Sequence, residues 1–132
     1  MKKLLAVLLA VVFVGSLAIA AEKKAAKPQV KKMTGIIVDN MCAGSHQADI
    51  AEFVKGHTKE CALMPDCVKS GYSLFTEGKL LPFDEASSAK IEKFLKKKNS
   101  TLNVAVKAAL VEDKLSLKSI SNKKEKKSKE KK

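Results

Sequence analysis

Tyr72-Ser73-Leu74-Phe75-Thr76-Glu77-Gly78-Lys79-Leu80-Leu81-Pro82-Phe83-Asp84 decides the fold. Two runs rich in apolar and aromatic residues, Tyr72 to Thr76 and Lys79 to Phe83, flank Glu77-Gly78. That dipeptide is a two-residue hairpin signal. Asp84 then stands where a helix N-cap is needed. Downstream, Glu85 to Lys97 places Ala86, Ala89, Ile91, Phe94 and Leu95 roughly on one face of an amphipathic helix. Leu102, Val104, Val106, Ala108 and Leu110 then alternate as a strand. Glu112-Asp113-Lys114 makes a turn. In the last strand, Leu115, Leu117 and Ser119 alternate against Ser116, Lys118 and Ile120.

Upstream, Met33 to Asp39 is rich in β-branched residues and reads as a first strand. Asn40 to Ser45 reads as a loop. Gln47 to Lys55 is helical in pattern, with Ile50, Phe53 and Val54 at i, i+3 and i+4. Gly56 ends it. Thr58 caps a second short helix from Lys59, and Pro65 limits or kinks that helix. The order is strand, helical insertion, hairpin, helix, two strands. This predicts a mainly β, α+β domain over residues 33–120: a closed or nearly closed OB-like five-strand barrel. Tyr72, Phe75, Leu80, Val104, Val106, Leu115 and Leu117 are its candidate covered positions. An open α+β meander is the alternative.

The ends carry different signals. Residues 1–20 read as a secretory signal peptide: Lys2 and Lys3, an apolar run from Leu4 to Val14, and a small-residue site at Ala18-Ile19-Ala20. The run is too short for a membrane anchor, and no later segment spans a bilayer. The expected location is therefore exported, periplasmic or secreted. Residues 21–32 form a basic linker, and 121–132 a lysine-rich tail expected to be disordered. The net charge is +12, yet residues 33–120 hold twelve lysines against eleven acidic residues. The basic character lies in the ends. They suit an anionic envelope surface rather than nucleic acid, since the chain has no arginine to supply bidentate contacts.

Every cysteine and histidine falls between Cys42 and Cys67, namely Cys42, His46, His57, Cys61 and Cys67. Thiolate and imidazole are the donors preferred by zinc, and with the neighbouring Met41 and Met64 they also suit copper. Cys42 and His46 are four apart, as are His57 and Cys61. On one continuous helix the two histidines would lie about 16 Å apart along the axis, so Gly56 must turn the chain if both bind one ion. Cys42, His57, Cys61 and Cys67 are the safer four-ligand set, with His46 the weakest member.

A disulfide competes with the ion. A bridge from Cys42 to Cys61 or Cys67 would fasten the insertion to its base. Cys61 and Cys67 meet only if Pro65 breaks the helix. The plainer reading makes His57 a partly buried histidine, Asp39 a loop cap, and Met41 and Met64 core fillers. No Cys-x-x-Cys or phosphate loop is present, and no serine has a histidine partner near it in sequence. A Cys nucleophile paired with His57 is conceivable, but nothing identifies a substrate, so the expectation is a non-enzymatic protein. The leading function is holding a transition metal, zinc or copper. The alternative is a disulfide-stapled domain that binds a small molecule, peptide or envelope component.

The strand Met33 to Asp39 with Cys42, then His57-Thr58-Lys59-Glu60-Cys61-Ala62, Cys67 and Ser70-Gly71-Tyr72, resembles a family of small exported bacterial proteins. The family pattern is a Thr-Gly strand ending in Asp-x-x-Cys, then His-x-x-x-Cys-Ala, a Cys, and a Ser-Gly-Tyr strand. The resemblance covers residues 33–120 and carries no activity with it. Its matching positions are Asp39, Cys42, His57, Cys61 and Cys67. Lys107-Ala108 departs from the pattern where a glycine is expected, which puts a strand bulge in doubt.

Overall fold

The computed structural model describes residues 27–124. The signal-peptide reading, the first part of the linker and the lysine-rich end from residue 125 lie outside the described residues. Five antiparallel strands form one sheet in the order β3-β2-β1-β4-β5. They are β1 (Val30–Asp39), β2 (Tyr72–Thr76), β3 (Lys79–Pro82), β4 (Asn103–Val111) and β5 (Lys114–Asn122). Between β1 and β2 lie four short helices: α1 (Asn40–Ser45), α2 (Ile50–Gly56), α3 (Lys59–Ala62) and α4 (Pro65–Ser70). Helix α5 (Glu85–Leu95) joins β3 to β4.

The β2–β3 turn is made by Glu77 at φ 49° and Gly78 at φ 75°, the left-handed pair that a tight hairpin requires. Glu112 at φ 48° and Asp113 at φ 65° do the same between β4 and β5 without glycine. Both ends of the sheet run past the boundaries expected from composition. Val30, Lys31 and Lys32 pair with Ala109, Ala108 and Lys107. Ser121 and Asn122 pair with Ala105 and Val104. Lysine on an exposed strand face does not prevent pairing, so charge alone misplaced these ends.

Strand β1 serves two neighbours. Its first part, Val30 to Ile36, pairs with β4, and its last part, Ile36 to Asp39, pairs with β2. Gly35 stands at the changeover. A Cβ there would overlap the Phe75 carbonyl oxygen and lie 2.9 Å from Leu74 Cδ1. The glycine lets β1 approach β2 closely as it turns from one partner to the other.

The closed barrel expected from the strand order is not present as a hydrogen-bonded ring. The edge strands meet at one parallel bridge, Phe83 with Leu115, reinforced by Asp84 N–H donating to the Leu115 carbonyl at 3.0 Å. The architecture is an α+β domain with a strongly shared central strand and touching edges.

The main core contains Ile37, Tyr72, Leu74, Ile91, Leu95, Val104, Val106, Leu115 and Leu117. Phe75 and Leu80 instead pack half-buried in a second cluster around Val38, Ala43 and Val54. Alternation along β1 explains the split: Ile37 enters one cluster and Val38 the other. Helix α5 departs from its expected stripe. Ala86 and Ala89 are exposed, while Ser87 and Ser88 are buried. Ser87 Oγ accepts from Leu117 N–H at 2.7 Å and Ser88 Oγ from Tyr72 N–H at 3.2 Å. The two hydroxyls fasten the helix to β5 and β2, a polar service that a hydrophobic count cannot see.

The β4–β5 ladder keeps its irregularity despite Lys107-Ala108. Lys107 pairs with Ser119 and Ala108 with Leu117, so Lys118 is the extra residue and β5 carries the bulge. The bulge flips the phase of β5. Leu115 and Leu117 are buried, and Ile120 rather than Ser119 then packs against the core. On β4, Ala109 is buried and Leu110 is 56% exposed, which reverses the alternation expected for Leu110.

Candidate metal centre

The site forms where β1 runs directly into α1. Asp39 is the N-cap, and its Oδ1 accepts from Cys42 N–H at 2.9 Å. An N-cap carboxylate reaches over the N3 residue, so Asp-x-x-Cys spacing sets Asp39 beside Cys42. Helix α2 ends at Gly56, and His57 takes extended geometry (φ −68°, ψ 134°). The chain thus turns between His46 and His57. Thr58 caps α3, its hydroxyl accepting from Cys61 N–H at 3.3 Å. Pro65 opens α4 instead of kinking α3, since a proline at the first helical position costs no hydrogen bond.

Polar contacts hold α4 against α1. Asn40 N–H donates to the Gly71 carbonyl at 2.9 Å, and Asn40 Nδ2 to the Ser70 carbonyl at 2.8 Å. Ser73 Oγ donates to Asn40 Oδ1 at 2.6 Å. Ser70 Oγ accepts from Met41 N–H at 3.0 Å and donates to the Cys67 carbonyl at 2.7 Å. One asparagine and two serines therefore set Cys67 relative to Cys42. On the core side, Tyr72 OH donates to the Ala62 carbonyl at 2.8 Å.

The side chains of Asp39, Cys42 and Cys67 converge: a carboxylate oxygen and both Sγ atoms lie within 4.8 Å of one another. Asp39 and Cys67 are buried and Cys42 is half-buried. His57 joins through Asp39. Its Nε2 is 3.2 Å from Asp39 Oδ2, with the two side chains 1% and 0% exposed. The two atoms lack hydrogen-bond geometry, and neither has a hydrogen-bond partner among the described residues. A buried polar atom left unpaired is costly, and a buried carboxylate more so.

Burial pushes the Cys42 thiol up to about 12, helped by the neighbouring Asp39 carboxylate. Cys67 is raised for the same reasons. Burial lowers His57, and Asp39 only partly opposes it. In the ion-free site both thiols therefore keep their protons at neutral pH, and the imidazole is neutral.

The remaining sequence candidates lie outside this group. Cys61 is exposed. His46 is half-exposed, with Nδ1 3.2 Å from Asp49 Oδ1. Its ring stacks on Phe53 at 4.0 Å and an 11° interplanar angle, and Phe53 in turn packs on His57 at 5.0 Å. Phe53 thus stands between the two histidines. Met41 is 50% and Met64 56% exposed, so neither fills the core. All three cysteines are free. Asp39, read from sequence as a cap, both caps and faces the cluster.

Among the described residues no helix is long and apolar enough to cross a membrane. Comparison with protein-family models, with curated proteins and with solved structures finds no match.

Proposed function

We propose that this chain is an exported, non-enzymatic binding protein with an OB-like barrel. It holds one divalent transition-metal ion, of the zinc type, between Asp39, Cys42, His57 and Cys67. The observation that carries this reading is the buried, unpartnered pair of Asp39 Oδ2 and His57 Nε2 beside two thiols. An ion gives all four groups a partner at once. In a tetrahedral zinc site, bonds of about 2.0–2.3 Å put donor atoms roughly 3.3–3.8 Å apart. The donor atoms of Asp39, Cys42 and Cys67, already within 4.8 Å of one another, need to close by only about an ångström to reach that geometry. His57, outside that group but 3.2 Å from Asp39 Oδ2, must move in to complete it. The carboxylate is a hard donor and the methionines face solvent. This donor set suits zinc better than copper(I). The barrel reading rests on the strand order with the Phe83–Leu115 bridge, which brings the two edges together.

Zinc titration of the reduced chain against a competing chromophoric chelator tests the site. The expected result is one bound equivalent. Cys42→Ser, Cys67→Ser, Asp39→Ala and His57→Ala each weaken binding by about 100-fold or more, whereas Cys61→Ser and His46→Ala stay within about threefold. Less than about 0.1 equivalent bound, or equal losses from Cys61→Ser and Cys67→Ser, overturns the assignment.

A further inference from the structure

Cys42 and Cys67 approach from two helices that are distant in sequence and fixed to each other by Asn40 and Ser70. Their Sγ atoms lie within 4.8 Å. Bonding distance is about 2.05 Å, so a disulfide requires the sulfurs to close by less than about 3 Å, within reach of side-chain rotation. Cys61, the third cysteine, is exposed and outside the group.

We propose that the site has two mutually exclusive states: a metal-bound dithiolate, and a metal-free Cys42–Cys67 disulfide that releases the ion. The proposal rests on the metal reading above. The oxidant is a small-molecule disulfide. A thiolate of the pair attacks one of its sulfurs and expels the first thiolate. The second cysteine sulfur then attacks the mixed disulfide and expels the other. Two cysteine thiolates lose two electrons, the small disulfide gains them as two thiolates, and the divalent ion leaves with its charge unchanged. Both sulfurs are consumed, and the two donors that remain, Asp39 and His57, are too few to hold the ion tightly. Half-buried Cys42 is the accessible entry point, and buried Cys67 is the second sulfur. Burial slows the exchange, so the equilibrium position is the quantity to measure.

The purified full chain is equilibrated in mixtures of reduced and oxidised glutathione, with free zinc fixed by a buffer. The bridge is then mapped by alkylation and mass spectrometry. The expected bridge is Cys42–Cys67 with Cys61 free, and Cys61→Ser keeps the transition. Free zinc at about 100 times Kd should raise the oxidised-to-reduced ratio needed for half-oxidation by about 100-fold. The oxidised chain should bind no zinc. A bridge that includes Cys61, or a transition lost in Cys61→Ser, overturns the proposal. So does a midpoint that ignores zinc, or full zinc binding by the oxidised chain, and either result would also remove the two thiolates from the ligand set. A bridge that includes Cys61, in a reduced chain whose zinc binding needs Cys42 and Cys67, overturns the switch alone and leaves the metal reading standing. A reduced chain that binds no zinc sinks the metal reading itself and the switch with it.

Discussion

The sheet with α5 and the helical excursion from Asn40 to Gly71 are stabilised in different ways. The first buries large side chains, at alternate strand positions such as Ile37, Leu74, Leu115 and Leu117 and four residues apart on α5 at Ile91 and Leu95. The excursion contributes only Ala43, Val54, Ala62 and Cys67 as buried apolar residues. It is held instead by the caps of Asp39 and Thr58, by Asn40 and Ser70, and by Lys59. The Lys59 Nζ donates to the Lys97 and Ser100 carbonyls at 3.2 Å. Apolar burial scales with area, and each net hydrogen bond contributes about 1 kcal/mol. The excursion is therefore the marginal part, and the part whose order an ion can control.

Removing the proposed ion should give the largest effect. Relative to the chain in zinc at about 100 times Kd, hydrogen exchange at amides of residues 40–71 should quicken by about 100-fold with a chelator present, equal to about 2.7 kcal/mol of local stability. Amides of β4 and β5 should change little. A uniform acceleration across both regions would mean that the two are one cooperative unit, and no change would mean that the excursion is already fixed without an ion.

The reverse experiment strikes the sheet. Gly35→Ala forces a methyl group into the Phe75 carbonyl and Leu74. Neither the strand backbone nor a buried leucine gives way cheaply. Overpacking of this kind costs about 1–3 kcal/mol. Urea unfolding should show that loss, while zinc affinity of the folded variant stays within about threefold. An unchanged midpoint would show that β1 can shift away from β2. A large affinity loss would show that the strain reaches Asp39 along β1.

The same contrast explains what the sequence could and could not reveal. Strands β2 to β5 and α5 were legible because alternation, Glu77-Gly78 and the Asp84 cap are local signals. The buried serines of α5 were not, because Ser87 and Ser88 are placed by distant N–H groups on Leu117 and Tyr72. The phase flip after Lys118 was hidden because a bulge depends on the partner strand. At the candidate site, Cys42 and Cys67 stood out in the sequence by residue type and His57 by its spacing to Cys61. Cys61 read as a ligand because i, i+4 spacing assumes His57 lies inside the helix. The Thr58 cap begins the helix one residue after His57, leaving His57 extended. The cap spacing of Asp39 to Cys42 is readable in the sequence, whereas its approach to Cys67 is not, because helix α4 brings that sulfur in from a distant part of the chain.

The smallest effect expected here tests the junction where the sheet edges meet. Asp84 Oδ1 accepts from Ser87 N–H at 2.7 Å, and the hydrogen bonding to Ser87 lowers its carboxyl below the usual 3.8, against a smaller opposing effect of burial. A depressed carboxylate adds stability that is present above 3.8 and lost as pH falls through its lower folded value. Asp84→Asn keeps a capping oxygen but removes the charge. Wild type should therefore lose stability on acidification from about pH 5 to 3 more than the variant does, by less than about 1 kcal/mol. Urea titrations of both proteins at several pH values measure that difference, with all other carboxylates common to the two. Parallel pH profiles would refute a role for the Asp84 charge. A difference that vanished on chelation would place its origin in the excursion instead of at the α5 cap, and the two regions would then not be energetically separate.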